Sequence, residues 1–96
     1  MKEQIVQILR DLRKELPMDV WKFKDKFKDL VNCEFYFDEI AKPKKEFNVT
    51  KNIKIYIYER EFVEVICNEE AIELEFRTIY VDDLKNNNII IVWYEV

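Results

Sequence analysis

The residues with the widest chemical reach in this chain are acids and tyrosines in its second half. Between positions 59 and 75 stand seven glutamates, Glu59, Glu61, Glu64, Glu69, Glu70, Glu73 and Glu75, against one cation, Arg60. Just before them come Tyr56 and Tyr58, spaced two apart, which on a strand puts both rings on one face. Carboxylates in such numbers can act as acids and bases, hold a hard cation or attract a basic surface. Acid–base catalysis needs a carboxyl whose pKa is raised by burial or by a close like charge. Nothing in the pattern encloses Glu64, Glu73 or Glu75. A metal site would need the acids to converge, and here they are spread along extended chain. What the residue types support is an acidic, tyrosine-bearing surface for a basic partner. Its candidate contacts are Tyr56, Tyr58, Glu64, Glu69, Glu70, Glu73 and Glu75. The plainer alternative is a solvated sheet face shielded by the two tyrosines.

Three absences sharpen this. The chain has no Gly, no His and no Ser. Phosphate-binding glycine loops, dinucleotide turns and standard calcium loops all depend on glycine's backbone freedom. Triads built on Ser or Cys with His, and His-containing zinc sites, are equally excluded. The expectation is a non-enzymatic protein with no cofactor and no metal.

Charge is divided along the chain. Net charge is −4, but residues 1–51 carry +2 and residues 52–96 carry −6. An acidic half is suited to electrostatic steering toward a basic protein surface. If that surface belongs to a nucleic-acid-binding enzyme, the chain would act as a nucleic-acid mimic, in the manner of small anti-defence inhibitors from phages or of nuclease-immunity proteins. Direct nucleic-acid binding is disfavoured by the net charge and by only four arginines. The richness in Ile, Lys and Asn, with two Ala, points to an AT-rich genome, such as that of a low-GC bacterium or its phages.

These residues need a scaffold, and 96 residues suffice for one α+β domain. Ile5, Ile8, Leu9, Leu12 and Leu16 recur at helical spacing and predict a helix over 2–16, stopped by Pro17. Asp19 is a natural N-cap for a second helix over 20–31, whose apolar stripe is Val20, Phe23, Phe27, Leu30 and Val31. The lysines beside Trp21 make this helix basic and amphipathic, but Asp25 and Asp29 interrupt them and the stripe is needed for the core, so no membrane contact is expected. A short Pro-Met-Asp link would fold the two helices into a hairpin.

Period-two alternation then predicts strands over 33–40, 52–59, 62–67, 71–80 and 89–95. The chain between Lys42 and Glu46 reads as a loop around Pro43. A tight connection over 59–61 separates the second and third strands, with Ile53, Ile55 and Ile57 facing the core and Tyr56 and Tyr58 facing away. If the third and fourth strands pair, Glu64 lies near Glu73 or Glu75, a like-charge contact that destabilises a sheet. Residues 82–88 read as a loop, where with no glycine asparagines must supply any left-handed positions.

The expected architecture is an N-terminal two-helix hairpin packed on one face of a four- to five-stranded antiparallel sheet. The last strand, Ile89 to Glu95, is apolar on both faces. It must lie inside the sheet or have its edge covered by a second copy, because a long apolar edge invites association. A homodimeric assembly subunit is therefore the alternative function. No apolar stretch follows Met1-Lys-Glu-Gln4, so no secretory leader is expected. In a reducing cytoplasm Cys33 and Cys67 read as small buried hydrophobes, with a disulfide or a reactive thiol as the alternative.

Overall fold

The structure is a computed structural model and describes residues 1–37 and 42–96. Its first element, α1 (Lys2–Leu12), buries Ile5, Leu9 and Leu12. A single 3-10 turn, Arg13–Glu15, follows, so the regular helix is shorter than its apolar spacing implies. The Leu16–Pro17 peptide is cis. After it comes the two-residue strand β1 (Met18–Asp19), which pairs with Ile91 and Ile90. Next is α2 (Val20–Val31), bounded as its sequence predicts. The Asp19 carboxylate accepts from the backbone N–H of Trp21 at 2.9 Å and of Lys22 at 3.3 Å, which satisfies two donors left orphaned at a helix start. Asn32 closes the helix in the left-handed region at φ 55°. The expected direct helical hairpin is not what forms, since a strand of the sheet intervenes between the helices.

The remaining strands are β2 (Glu34–Phe37), β3 (Lys45–Thr50), β4 (Ile53–Cys67), β5 (Glu70–Asp83) and β6 (Asn88–Glu95). All pairings are antiparallel, in the order β1-β6-β5-β4-β2, with β3 also paired to β4. The final strand thus lies inside the sheet, flanked by β5 and β1. Beyond β1, the Tyr94 carbonyl on this edge accepts from Arg13 Nη1 at 3.3 Å. The guanidinium also lies 4.7 Å from the centre of the Trp93 ring.

Two strand expectations are corrected, and a third is described only in part. The first strand is described only over Glu34–Phe37, and positions 38–40 of its expected span lie outside the described residues. The expected loop at Lys42–Glu46 becomes strand from Lys45 onward, because this segment pairs along β4 from Ile57 to Ile53. The expected second and third strands are one strand, with no turn at 59–61.

What stands there is a β-bulge. Tyr58 pairs with Thr78 and Glu61 with Phe76, so Glu59 and Arg60 together stand opposite Arg77 alone. One extra residue shifts the alternation, so that Glu61, Val63, Val65 and Cys67 share a face with Tyr56 and Tyr58 instead of with the isoleucines. The expected core face of the N-terminal half is therefore reversed. Tyr56 and Tyr58 pack against the core, while Ile53, Ile55 and Ile57 are half-buried on the other face. A second bulge in β6, at Val92, puts Ile91 and Tyr94 on the same buried face although they are three apart.

The core joins both helices to the sheet. Phe23 and Phe27 meet Phe35 edge-to-face at 5.3 and 5.4 Å, and Phe76 stacks on Tyr94 at 5.2 Å. Each such buried side chain contributes about 1.5–3 kcal/mol by leaving water. The Tyr94 hydroxyl donates to the Leu9 carbonyl, so its one polar atom is satisfied inside the core. Cys33 and Cys67 are buried as expected, but they are joined in a disulfide with Cα atoms 4.7 Å apart. The bond ties the start of β2 to the end of β4.

Candidate functional site

The outer face of the sheet has two halves, divided by the bulge. Beyond it, toward the β4–β5 hairpin, register places Glu64 opposite Glu73 and Phe62 opposite Glu75. On the neighbouring strand Tyr36 stands opposite Glu64 and Glu34 opposite Ile66. The expected like-charge contact is thus present, as Glu64 with Glu73. Neither carboxylate has an ion pair among the described residues, whereas Glu75 is held by Arg60 Nε at 2.5 Å. Two exposed aromatic rings flank the acids, Tyr36 at 46% and Phe62 at 48% exposure. Tyr36 donates its hydroxyl to Glu34, and this bond, followed by the charges of Glu34 and Glu64, raises the phenol's pKa above its ordinary value. Glu69 and Glu70 are set apart at the hairpin tip, where Asn68 and Glu69 take φ of 50° and 68° to close a two-residue turn.

On the other side of the bulge the same face is apolar. One row across four strands reads Phe47, Ile55, Val81, Ile90, and the next reads Lys45, Ile57, Ile79, Trp93.

Tyr56 and Tyr58, grouped with the acids by the sequence, are on the opposite side of the sheet. They line an open cleft of about 470 Å³ together with Phe37, Glu61, Tyr80 and Asp82, and with Val20 and Lys24 from α2. Tyr80 packs edge-to-face against Tyr58 at 5.6 Å and Phe37 at 5.9 Å. Its hydroxyl donates to the Glu61 carboxylate at 2.5 Å. Glu61 is only 2% exposed. Burial pushes the Tyr80 phenol far above its ordinary pKa, and the Glu61 charge adds to the effect. Burial, then Glu61, raises Tyr58 in the same direction. Lys24 sits over the Trp21 and Phe37 rings at 5.1 and 5.6 Å.

No family model, curated protein or solved structure matches the chain. Among the described residues no group of three or more His, Cys, Asp or Glu could hold a metal ion, and no helix is long and apolar enough to cross a membrane.

Sequence reasoning missed Glu61, Tyr80, Asp82, Tyr36 and Phe62 as site residues. A signal for Glu61 was present: it is the first member of the alternating series Glu61, Val63, Val65, Cys67, a charge at a core-facing position. Tyr80 likewise continues the series Ile72, Leu74, Phe76, Thr78.

Proposed function

We propose that this is a non-enzymatic binding protein that lays the acidic half of its outer sheet face on a basic surface of a partner protein. The Glu64–Glu73 pair carries the reading. Like charges directly opposite one another weaken a sheet, and these two face solvent with no cation on either among the described residues. A basic partner would convert that cost into attraction. Tyr36 and Phe62, large and exposed beside the pair, supply the aromatic anchors that such interfaces concentrate. Where the partner's basic surface serves nucleic acid, the protein acts as a mimic and inhibitor, as an anti-defence or immunity protein would. Glu75, engaged by Arg60, and Glu69 and Glu70, at the hairpin tip, have lesser parts.

The test is a tagged-protein capture across a salt series, with Glu64→Lys/Glu73→Lys as control and an oligonucleotide as competitor. Support is a basic partner that is released by salt, displaced by the oligonucleotide and not captured by the variant. A partner held equally by the variant removes the acidic pair from the interface.

A second reading, self-association, is favoured by the apolar half of the same face. Phe47 and Trp93, at 47% and 46% exposure, flank the half-buried Ile55, Ile57, Ile79, Val81 and Ile90. A contiguous apolar face of this kind is typical of protein contact surfaces. Sedimentation across a concentration series decides it, since a monomer at every concentration rules this reading out.

A further inference from the structure

The aromatic cleft under β4 and β5 is on the opposite face of the sheet from the Glu64–Glu73 pair, and among the described residues Tyr36 and Phe37 border both this cleft and the acidic surface. It has the chemistry of a site in its own right. Its walls are the rings of Tyr36, Phe37, Tyr56, Tyr58 and Tyr80, and Tyr58 meets Tyr80 edge-to-face at 84°. Aromatic faces carry negative quadrupole potential and attract cations within about 6 Å. Two carboxylates border the same space, Glu61 at its buried side and Asp82, which has no ion pair among the described residues. Among the described lining residues, Lys24 is the cation that stands against them. The surroundings already show this preference within the chain: Lys24 rests over Phe37 at 5.6 Å, and Lys54 rests over Tyr56 at 5.1 Å.

We propose that the cleft binds an organic cation, a quaternary ammonium or guanidinium group, held against the Tyr58 and Tyr80 rings and balanced by Asp82. A volume of about 470 Å³ falls within the range of small-ligand sites and accommodates such a group with its alkyl stem. Two sources share this chemistry, a free choline-like molecule and an arginine side chain offered by another protein. Lys24 is the resident competitor, near enough on the Phe37 ring to oppose an incoming cation by charge.

Proton NMR of the tyrosine and phenylalanine ring signals tests this with four probes: choline, N-acetylargininamide, 3,3-dimethylbutan-1-ol as the uncharged choline isostere, and sodium acetate. Choline or N-acetylargininamide is expected to shift the Tyr58 and Tyr80 signals with Kd of about 1 mM or tighter. The isostere is expected to bind at least about tenfold more weakly, in keeping with cation–π attraction plus charge, and acetate not at all. Whichever cation binds more tightly identifies the source. Lys24→Met is expected to tighten cation binding about threefold by removing the competitor, and Asp82→Asn to weaken it about threefold. Both positions are partly exposed, so both variants keep the fold. Equal binding of choline and its isostere, ring signals unmoved by either cation, or weaker binding by Lys24→Met overturns the proposal.

Discussion

Tyr80 donates its hydroxyl to the buried carboxylate of Glu61 across the β4–β5 pairing, at 2.5 Å. The two are on neighbouring strands but not at opposite positions, since Tyr80 pairs with Tyr56 and Glu61 with Phe76. Their contact spans the bulge at Glu59 and Arg60. It therefore ties together the two halves of β4 whose alternation differs.

Removing that hydroxyl should be costly. Tyr80→Phe withdraws a donor from a buried carboxylate and is expected to lower stability by about 1–3 kcal/mol at neutral pH. Urea unfolding measures it. A loss well below this range would mean that the bond adds little to the fold.

The same tyrosine predicts an alkaline limit. Tyr80, Tyr58 and Tyr94 all have pKa values raised above 10.0, each chiefly by burial. The folded state therefore keeps its phenols neutral where the unfolded chain ionises them. Their contribution is complete below pH 10 and is lost as pH rises above it, once the unfolded state begins to shed protons. Each fully shifted tyrosine adds a slope of about 1.4 kcal/mol per pH unit there. Tyr80→Phe should reduce the slope by about one tyrosine's share, as read from unfolding curves taken at pH values above 10. An unchanged slope would show that Tyr80 ionises alike in both states.

The bulge is testable by length. Deleting Arg60 leaves Glu59 alone opposite Arg77 and restores plain alternation, with Tyr56 and Tyr58 still on the face of Glu61. It is expected to keep cooperative unfolding and to expose no new apolar surface to a hydrophobic dye. Arg60→Ala keeps the bulge and loses only the exposed pair with Glu75, at a cost of less than about 1 kcal/mol. If the deletion abolishes cooperative unfolding while Arg60→Ala does not, the assignment of Tyr56, Tyr58 and Glu61 to one face by this bulge is wrong.

The Cys33–Cys67 bond closes a loop with a sequence separation of 34. By chain-entropy arguments a cross-link of this span stabilises by about 3–4 kcal/mol. Cys33→Ala/Cys67→Ala should lower the urea midpoint accordingly, and thiol titration of the denatured native protein should find no free thiol. Free thiols in protein recovered from a reducing cytosol that is equally stable would make the pair ordinary core residues.

Relief of the like-charge pair separates stability from binding. Glu73→Lys sets a cation opposite Glu64 and is expected to raise stability by about 0.2–1 kcal/mol while weakening capture of a basic partner. If the variant is less stable, Glu73 has a structural role, and the reasoning from an unrelieved repulsion fails.

Some of this molecule was legible in its residues alone. The apolar spacing of Ile5, Leu9 and Leu12, the Asp19 cap and the Phe23–Phe27 stripe depend on neighbours within one or two turns, so local sequence determined where the helices form. The Glu64–Glu73 contact followed from a short hairpin at Asn68, again a local matter. Asparagine was expected at the left-handed positions of the loop over 82–88, and Asn87 takes one; Asn32, Asn68 and Glu69 take others elsewhere. Tertiary structure decided the rest. Whether residues 59–61 turn or continue depends on what β5 offers opposite them, and one unpaired residue there reverses the face of every side chain on its N-terminal side. That reversal took Tyr56 and Tyr58 from the acidic surface into the cleft with Glu61 and Tyr80, and turned Ile55 and Ile57 outward. Cys33 and Cys67 are 34 positions apart in sequence, and only the pairing of β2 with β4 brings them within reach of each other. Period-two patterning records which residues share a face within an unbroken strand, but a bulge is invisible to it because the pairing partner, not the strand's own sequence, determines where the count slips.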